Sequence, residues 1–267
     1  SHLGADAVAV VGITESMMYI IYAVAIGISI GATAVVARRI GEKDAEGASR
    51  AAAHSIYLGV AASVVIGVFG IVFAPELLAL MGASAEVIAQ GTTFTRIMVG
   101  GNITVMMVFL LNAIFRGAGD AAIAMRVLWF ANLLNIILGP CFIFGVSFFP
   151  ELGVTGAAVG TTIGRGMGAA LAAYYLFFGN RRISVRGKHW AFDSELLNRL
   201  VKVSAPAVFQ FFVQTASWVG LVRVITGFGT VAVAGYQIGI RVVIFALLPS
   251  IGLANAAATL VGQNLGA

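Results

Sequence analysis

Seven apolar stretches, each close to the ~20 residues that a helix needs to cross a bilayer, alternate with short polar connections along the chain. They run roughly over 10–37, 55–74, 97–115, 127–149, 154–178, 203–226 and 231–261. Each is predicted to be a helix, because backbone polar groups in lipid must be satisfied within the segment that carries them. The connections alternate in charge. Segments 38–54, 116–126 and 179–202 hold four, two and six Lys or Arg, twelve of the sixteen in the chain. Segments 1–7, 75–91, 145–155 and 228–230 hold none. The basic connections are therefore assigned to the cytoplasm by the positive-inside rule.

Composition agrees with this pattern. Of 267 residues, 60% are hydrophobic and 10% charged, with 33 glycines and a mean hydropathy of +1.00. A soluble domain cannot hide so much apolar surface, so the fold class is an all-α, polytopic membrane bundle. The net charge of +5 follows from topology and does not call for a nucleic-acid partner. Cys141 is the single cysteine and lies in an apolar run, which excludes a disulfide framework and a cysteine metal cluster. The chain opens on Ser1 with no secretory signal before the first span, and it reads as a fragment.

The first span has an echo near the end of the sequence. At a shift of 225, Ile26-Gly27 meets Ile251-Gly252, Ala32 meets Ala257, Val36 meets Val261 and Gly41 meets Gly266, while Arg38-Arg39-Ile40 becomes Gln263-Asn264-Leu265. The entry recurs at a shift of 223, Val8-Ala9-Val10-Val11-Gly12 against Val231-Ala232-Val233-Ala234-Gly235. The two spans are six apart and so cross in the same direction, which is a parallel repeat. A complete array is then two six-helix bundles. On this reading residues 1–178 are a first lobe lacking its first span, 179–202 a cytoplasmic linker, and 203–267 the start of a second lobe. In the linker, after Asn180-Arg181-Arg182, Asp193-Ser194-Glu195 caps a predicted short interfacial helix that leads into a span at Pro206. On the outer side, Pro75–Gly82 reads as another short helix. Gly156, Gly160, Gly164 and Gly168 form a stripe along the fifth span, and Gly59, Ser63 and Gly67 form one along the second, for close helix packing in lipid.

Several motifs resemble the multidrug and toxic compound extrusion (MATE) transporters. They are Gly31–Asp44 with its A-R-R-I-G-E-K-D close, Arg116-Gly117-Ala118-Gly119-Asp120, Asn135-Ile136-Ile137-Leu138-Gly139-Pro140 with Phe142-Ile143-Phe144-Gly145, and Pro150–Ala158. The likeness runs in order from that family's second span to its eighth. It implies two six-helix lobes around a cleft that opens alternately to either side. It also implies antiport of amphipathic, often cationic compounds against Na+ or H+, with no other cofactor. Two acids familiar in the family are absent, because Gly139 stands where N-x-x-L-D-P members carry aspartate and Gln214 stands eight residues after Pro206.

The polar residues at depth supply the candidate ion-coupling and cleft positions. Glu15 is an acid well inside a span, and an intramembrane acid is a functional candidate by default. Arg165 and Arg241 lie nearer mid-span, where internal structural ion pairs are expected of them, and Arg241 falls one residue from the repeat equivalent of Glu15. Asn132 and Asn135 share a face with Gly139, and an asparagine carbonyl can ligate Na+ near Asn135 or bond a neighbouring helix. Gln210, Gln214 and Asn255 are further cleft candidates. A membrane-embedded enzyme would need clustered acids, His or Cys, whereas His2, His54 and His189 are scattered. A channel filter is not visible. The alternative within the same superfamily is a lipid-linked oligosaccharide flippase. The expected setting is a cell membrane, with lipid and a small amphipathic substrate as partners and the protein a monomer.

Overall fold

A computed structural model of the protein describes residues 5–146, 149–179, 182–228 and 230–267. Among them there is no strand, and nine α-helices and one 3-10 turn account for the fold. The helices are α1 (Ala5–Gly41), α2 (Ala45–Val72), α3 (Ala74–Leu80), α4 (Ala85–Gly100), α5 (Asn102–Gly117), α6 (Ala121–Phe144), α7 (Val154–Phe178), α8 (Ser194–Thr226) and α9 (Thr230–Asn264). Six stretches are long and apolar enough to cross a membrane: one each in α1, α2, α6, α8 and α9, and one that runs through α4 and α5. α7 has the length of a seventh, but Gly, Thr and Arg165 dilute its apolarity.

α1 is the element on which the others pack, touching α2, α4, α5, α8 and α9. Its buried positions Met18, Ile21, Ala25, Ile28, Ala32 and Val36 recur every three or four residues, the spacing of one helix face. The main core joins this face to α2, α5, α6 and α7 and takes in Ile183, Val185 and Leu200 from beyond α7.

The connections are built from local chemistry. α1 turns into α2 through Lys43 in the left-handed region (φ 57°), and the Asp44 carboxylate accepts the Gly47 N–H at 2.7 Å. This shortens the connection expected over 38–54 to three residues, since both helices run into it. The predicted outer helix at 75–82 is α3, closed by Gly82 at φ 84°. α4 was not foreseen as a helix over 85–96, because Glu86, Gln90, three threonines and Arg96 interrupt the apolar run. Ser84 caps it by accepting the Val87 N–H, and it continues into α5 across a break at Gly101. The break is held by Asn102, which is fully buried. Its amide donates to Ser63 O (3.0 Å) and Val99 O (2.7 Å), and its oxygen accepts the Ser63 hydroxyl at 2.6 Å.

Glycine sets the packing of α6 on α7. A methyl group on Gly160 would lie 3.0 Å from Gly139 N, on Gly164 3.1 Å from Asn135 N, and on Gly168 2.7 Å from Ala131 Cβ, and on Gly156 it would run into the Phe142 carbonyl. The predicted stripe therefore lies against the α6 backbone. The α2 stripe faces α4 and α5, with Gly67 beside the Asn102 side chain and the Gly100 carbonyl, and Gly59 against the side chains of Leu110 and Met107.

Beyond α7 the linker is anchored to α2. Of its predicted opening, Asn180 and Arg181 lie outside the described residues. The 3-10 turn Gly187–Trp190 puts Trp190 against Tyr57, edge to face at 5.0 Å, and the Tyr57 hydroxyl donates to Trp190 O. His189, 3% exposed, accepts the Arg186 N–H on Nδ1, which leaves its Nε2–H to donate to Glu46 at 2.8 Å. His54, fully buried, accepts the Asp193 N–H on Nε2 and so donates from Nδ1 to Arg50 O. The separate interfacial helix expected after Asp193 is instead the first part of α8, one helix of 33 residues with Pro206 inside it. Proline removes one backbone hydrogen bond without ending the helix here. Asp193 caps α8 by accepting the Glu195 and Leu196 N–H groups at 3.0 Å. The Leu196 bond, with that of Glu195 and the nearby Arg50 guanidinium, holds its carboxyl below the usual range.

Candidate functional site: a cleft between helix α1 and helices α8 and α9

α1 ends at the cytoplasmic side, and α8 begins there. Gly31 meets Ser204 and Gly27 meets Val208, where a methyl would lie 2.6 Å from the Val208 nitrogen. α9 returns to the same end. Gly262 would place a methyl 2.9 Å from Ala37 Cβ, Gly41 faces the Gln263 carbonyl and Gly266 faces the Arg38 carbonyl. The last turns of α1 and α9 thus meet with their C-termini together, so the two helices run in the same direction, as the parallel repeat requires. Gln263 adds a hydrogen bond from Nε2 to Gly117 O at 3.2 Å.

Towards the outer side the glycines make no such approach. A methyl on Gly12 of α1, Gly220 of α8 or Gly235, Gly239 or Gly252 of α9 would meet no atom within 4 Å. Large apolar side chains of α8, of α9 and of the turn that ends α9, Val201, Phe209, Phe245 and Leu265 among them, are exposed along the whole of both helices, at the cytoplasmic end as well as away from it. The outer half of α1 packs elsewhere, with Thr14 and Thr95 sharing a buried hydroxyl bond to α4 (2.8 Å). The close glycine approaches of α1 to α8 and α9 thus lie towards the cytoplasmic end.

The sequence candidates fall into three groups. Glu15 on α1 and Arg241 on α9 are both exposed, and neither is in an ion pair among the described residues; the structure does not bring them together. On α6, Asn132 is exposed beside Trp129, Leu133 and Ile136, whereas Asn135 is half-buried with its backbone against Gly164 and Gly139 is buried against Gly160. Gln210 and Gln214 are exposed on α8, and Asn255, exposed on α9, donates to Ile251 O of its own helix at 3.0 Å.

Arg165 does not form the ion pair expected of it. Its Nη2 donates to the Tyr22 hydroxyl at 3.1 Å, and its guanidinium lies 5.9 Å from the centre of that ring. Tyr22 is flanked by Tyr19 at 6.3 Å and Phe109 at 6.1 Å, which makes an aromatic cluster around one cation at depth. Sequence reasoning missed this cluster; the available signal was Tyr19 and Tyr22, three apart on one face of α1. It also missed Asn112, 1% exposed, whose amide has no hydrogen-bond partner among the described protein groups. At the cytoplasmic rim, Glu42 joins Arg38 (3.0 Å) and Arg39 (2.9 Å), and the Arg38 hydrogen bond leads in lowering its pKa.

A polytopic helical bundle in which a span and its repeat run parallel and meet at their cytoplasmic ends has the architecture of a membrane transporter. The profile of the MatE family matches residues 1–141 and 206–267, and the chain belongs to that family. It is 29% identical to the probable multidrug resistance protein NorM of Thermotoga maritima, over 99% of this chain and 57% of that protein. It is 28% identical to the multidrug export protein MepA of Staphylococcus aureus, over 88% of this chain and 51% of that protein. Among solved structures, it is similar to a MATE family transporter in an outward-facing conformation (TM-score 0.89, 29% identity, 99% of this chain and 58% of that one). It also matches a MATE protein in a bent conformation (TM-score 0.90, 28% identity, 100% and 59%). The chain thus spans a little under three-fifths of the relatives that it matches, and it is a multi-pass membrane protein of a transporter family.

Proposed function

We propose that these residues are the larger part of a secondary antiporter that exports amphipathic or cationic compounds in exchange for Na+ or H+ by alternating access. The observation that carries the reading is the close glycine contact of α1 with α8 and α9 at the cytoplasmic end. In this reading that contact is the closed side of an outward-open state. Relatives named for multidrug resistance and export supply the substrate class. In this reading residues 1–178 belong to the first lobe and 203–267 to the second, joined by the anchored linker, and one copy in lipid suffices for transport.

Glu15 is the coupling candidate that the geometry favours. It is exposed on the outer half of α1, where an open cleft would let a proton or Na+ reach it from outside. Closure of the outer side would desolvate the carboxylate and favour its protonated or ion-paired form, with Arg241 on the facing span as a partner. Differential affinity between the two states is what couples the ion to the conformational change. Asn135 remains a candidate Na+ ligand on α6. A lipid-linked oligosaccharide flippase is not favoured, since Arg165 is engaged by tyrosine and no broader row of mid-span cations accompanies it among the described residues.

The test is dye export by the complete transporter in vesicles with an imposed proton or sodium gradient. Gradient-driven export is expected, and Glu15→Gln is expected to abolish the coupling while dye binding survives. Absence of gradient-driven export by the unaltered protein refutes the antiporter reading; export undiminished in Glu15→Gln removes that residue from it.

A further inference from the structure

The contact between the last turns of α1 and α9 has a symmetry of its own. A methyl on Gly41 would run into the Gln263 carbonyl, 2.7 Å from its carbon and 3.0 Å from Gln263 Cα. A methyl on Gly266 would run into the Arg38 carbonyl, 3.1 Å from its carbon and 2.8 Å from Glu42 N. The repeat shift of 225 converts Gly41 into Gly266 and Arg38 into Gln263. Each contact therefore becomes the other when the two copies are exchanged. Gly41 lies on residue 263 and Gly266 on residue 38, as in an isologous two-fold interface. The two spans differ in most side chains, yet each carries glycine at this position.

We infer that this reciprocal glycine contact is the cytoplasmic seal of the cleft, closed in the outward-open state and parted when the cleft opens to the cytoplasm. The inference rests on the alternating-access reading above. Its chemistry suits a contact that must be both tight and reversible. Both carbonyls already accept a hydrogen bond within their own helix end, Arg38 O from Glu42 N at 2.9 Å and Gln263 O from Gly266 N at 3.2 Å. What crosses between the helices is glycine Cα–H against carbonyl oxygen, which is weak and is strengthened only by close approach. The Gln263 Nε2 bond to Gly117 O and the Gly262–Ala37 approach complete the seal. Parting it strands no buried charge: the guanidinium of Arg38 is already held by Glu42 at the exposed rim. Any side chain on either glycine would hold the helices apart and favour the cytoplasm-open state.

The experiment uses the complete transporter with its native cysteines, Cys141 among them, replaced by serine. The pair Ala37→Cys and Gly262→Cys spans the seal, and the helices need give by under about 1 Å to reach the ~3.5–4.5 Å between Cβ atoms of a disulfide. Oxidation is expected to cross-link most of the protein and stop transport, and reduction to restore it. Cross-linked protein that transports as fast as its reduced form overturns the proposal. Separately, Gly41→Leu and Gly266→Leu are each expected to raise labelling of Ala37→Cys by a cytoplasmic, membrane-impermeant maleimide at least three-fold, and by similar factors because the contact is reciprocal. Unchanged labelling in both variants also overturns it. If the leucine variants do not fold, the cysteine pair, which keeps Gly41 and Gly266, decides. Labelling needs no substrate, so failure of the seal is distinguishable from failure of the antiporter reading, which export alone judges.

Discussion

Replacing Gly160 by alanine adds one methyl group where α6 and α7 are closest, and replacing Gly166 adds the same group six residues along the same helix. At Gly160 the methyl would sit 3.0 Å from Gly139 N and 3.1 Å from Gly139 Cα and the Leu138 carbonyl carbon. Ordinary carbon contacts lie near 3.5–4.0 Å, so α6 must retreat by roughly 0.5–1 Å. Backbone cannot rotate aside, and moving α6 also loosens the approaches at Gly156, Gly164 and Gly168. Overpacking of this kind costs about 1–3 kcal/mol, against about 1 kcal/mol gained by removing a glycine from a helix interior. At Gly166 the nearest atom is Thr104 Cγ2 at an ordinary 3.5 Å, so only the helix gain of about 0.5–1 kcal/mol remains. Gly160→Ala is therefore expected to be less stable than Gly166→Ala by about 1–3 kcal/mol. Unfolding of the detergent-solubilised protein by sodium dodecyl sulfate titration, read from helix circular dichroism, measures the difference. Equal stabilities, or Gly160→Ala the more stable, would refute the argument that the stripe is a backbone-to-backbone contact.

Asn102→Ala should cost about 2–3 kcal/mol, from two amide bonds lost and the Ser63 hydroxyl left without its acceptor; the same titration checks it, and a loss under 1 kcal/mol would mean that another group holds the break at Gly101. Asp193, whose folded pKa is lowered, stabilises the start of α8 above the ordinary carboxylate range and loses that contribution as pH falls through its depressed value. Proteolysis of the linker around Lys188 should therefore rise on acidification below about pH 4, and Asp193→Asn should flatten that step; an identical acid step in the variant would place the sensitivity elsewhere.

What was legible in the sequence follows from periodicity and charge. The helices, their orientation and both glycine stripes depend on spacing along one element, and spacing is what a sequence displays. α4 escaped because Glu86, Gln90 and Arg96 gave it the look of an outer loop, while its helix is held by the Ser84 cap and by burial of Val87, Phe94 and Val99. The sequence suggests a short interfacial helix leading into a span at Pro206, whereas α8 runs through Pro206 as one helix. The candidate site was less legible. Glu15, Arg165 and Arg241 stood out by depth, but whether a side chain faces a neighbour depends on rotation of the helix about its axis, which one sequence does not encode. Arg165 accordingly found Tyr22 in place of an acid, and among the described residues neither Glu15 nor Arg241 is in an ion pair.

The same residue type serves two mechanical ends in this chain, and the geometry separates them. Along α7 glycine approaches α6 at four successive turns, from Gly156 to Gly168, so parting the helices would break every contact at once. Such an interface moves as one body. Between α1 and α9 the close approaches occupy the final turns, from Ala37 to Gly41 on one side and from Gly262 to Gly266 on the other, and beyond them Gly252 and Gly239 face open space. A contact whose close glycine approaches lie at one end can open by rocking. Leverage then favours the terminal contact as the moving part, because a small rotation within a rigid bundle produces its largest displacement at the helix ends. The α6–α7 stripe supplies the rigidity that this rocking needs, and the reciprocal pair Gly41 and Gly266 supplies the place where it acts.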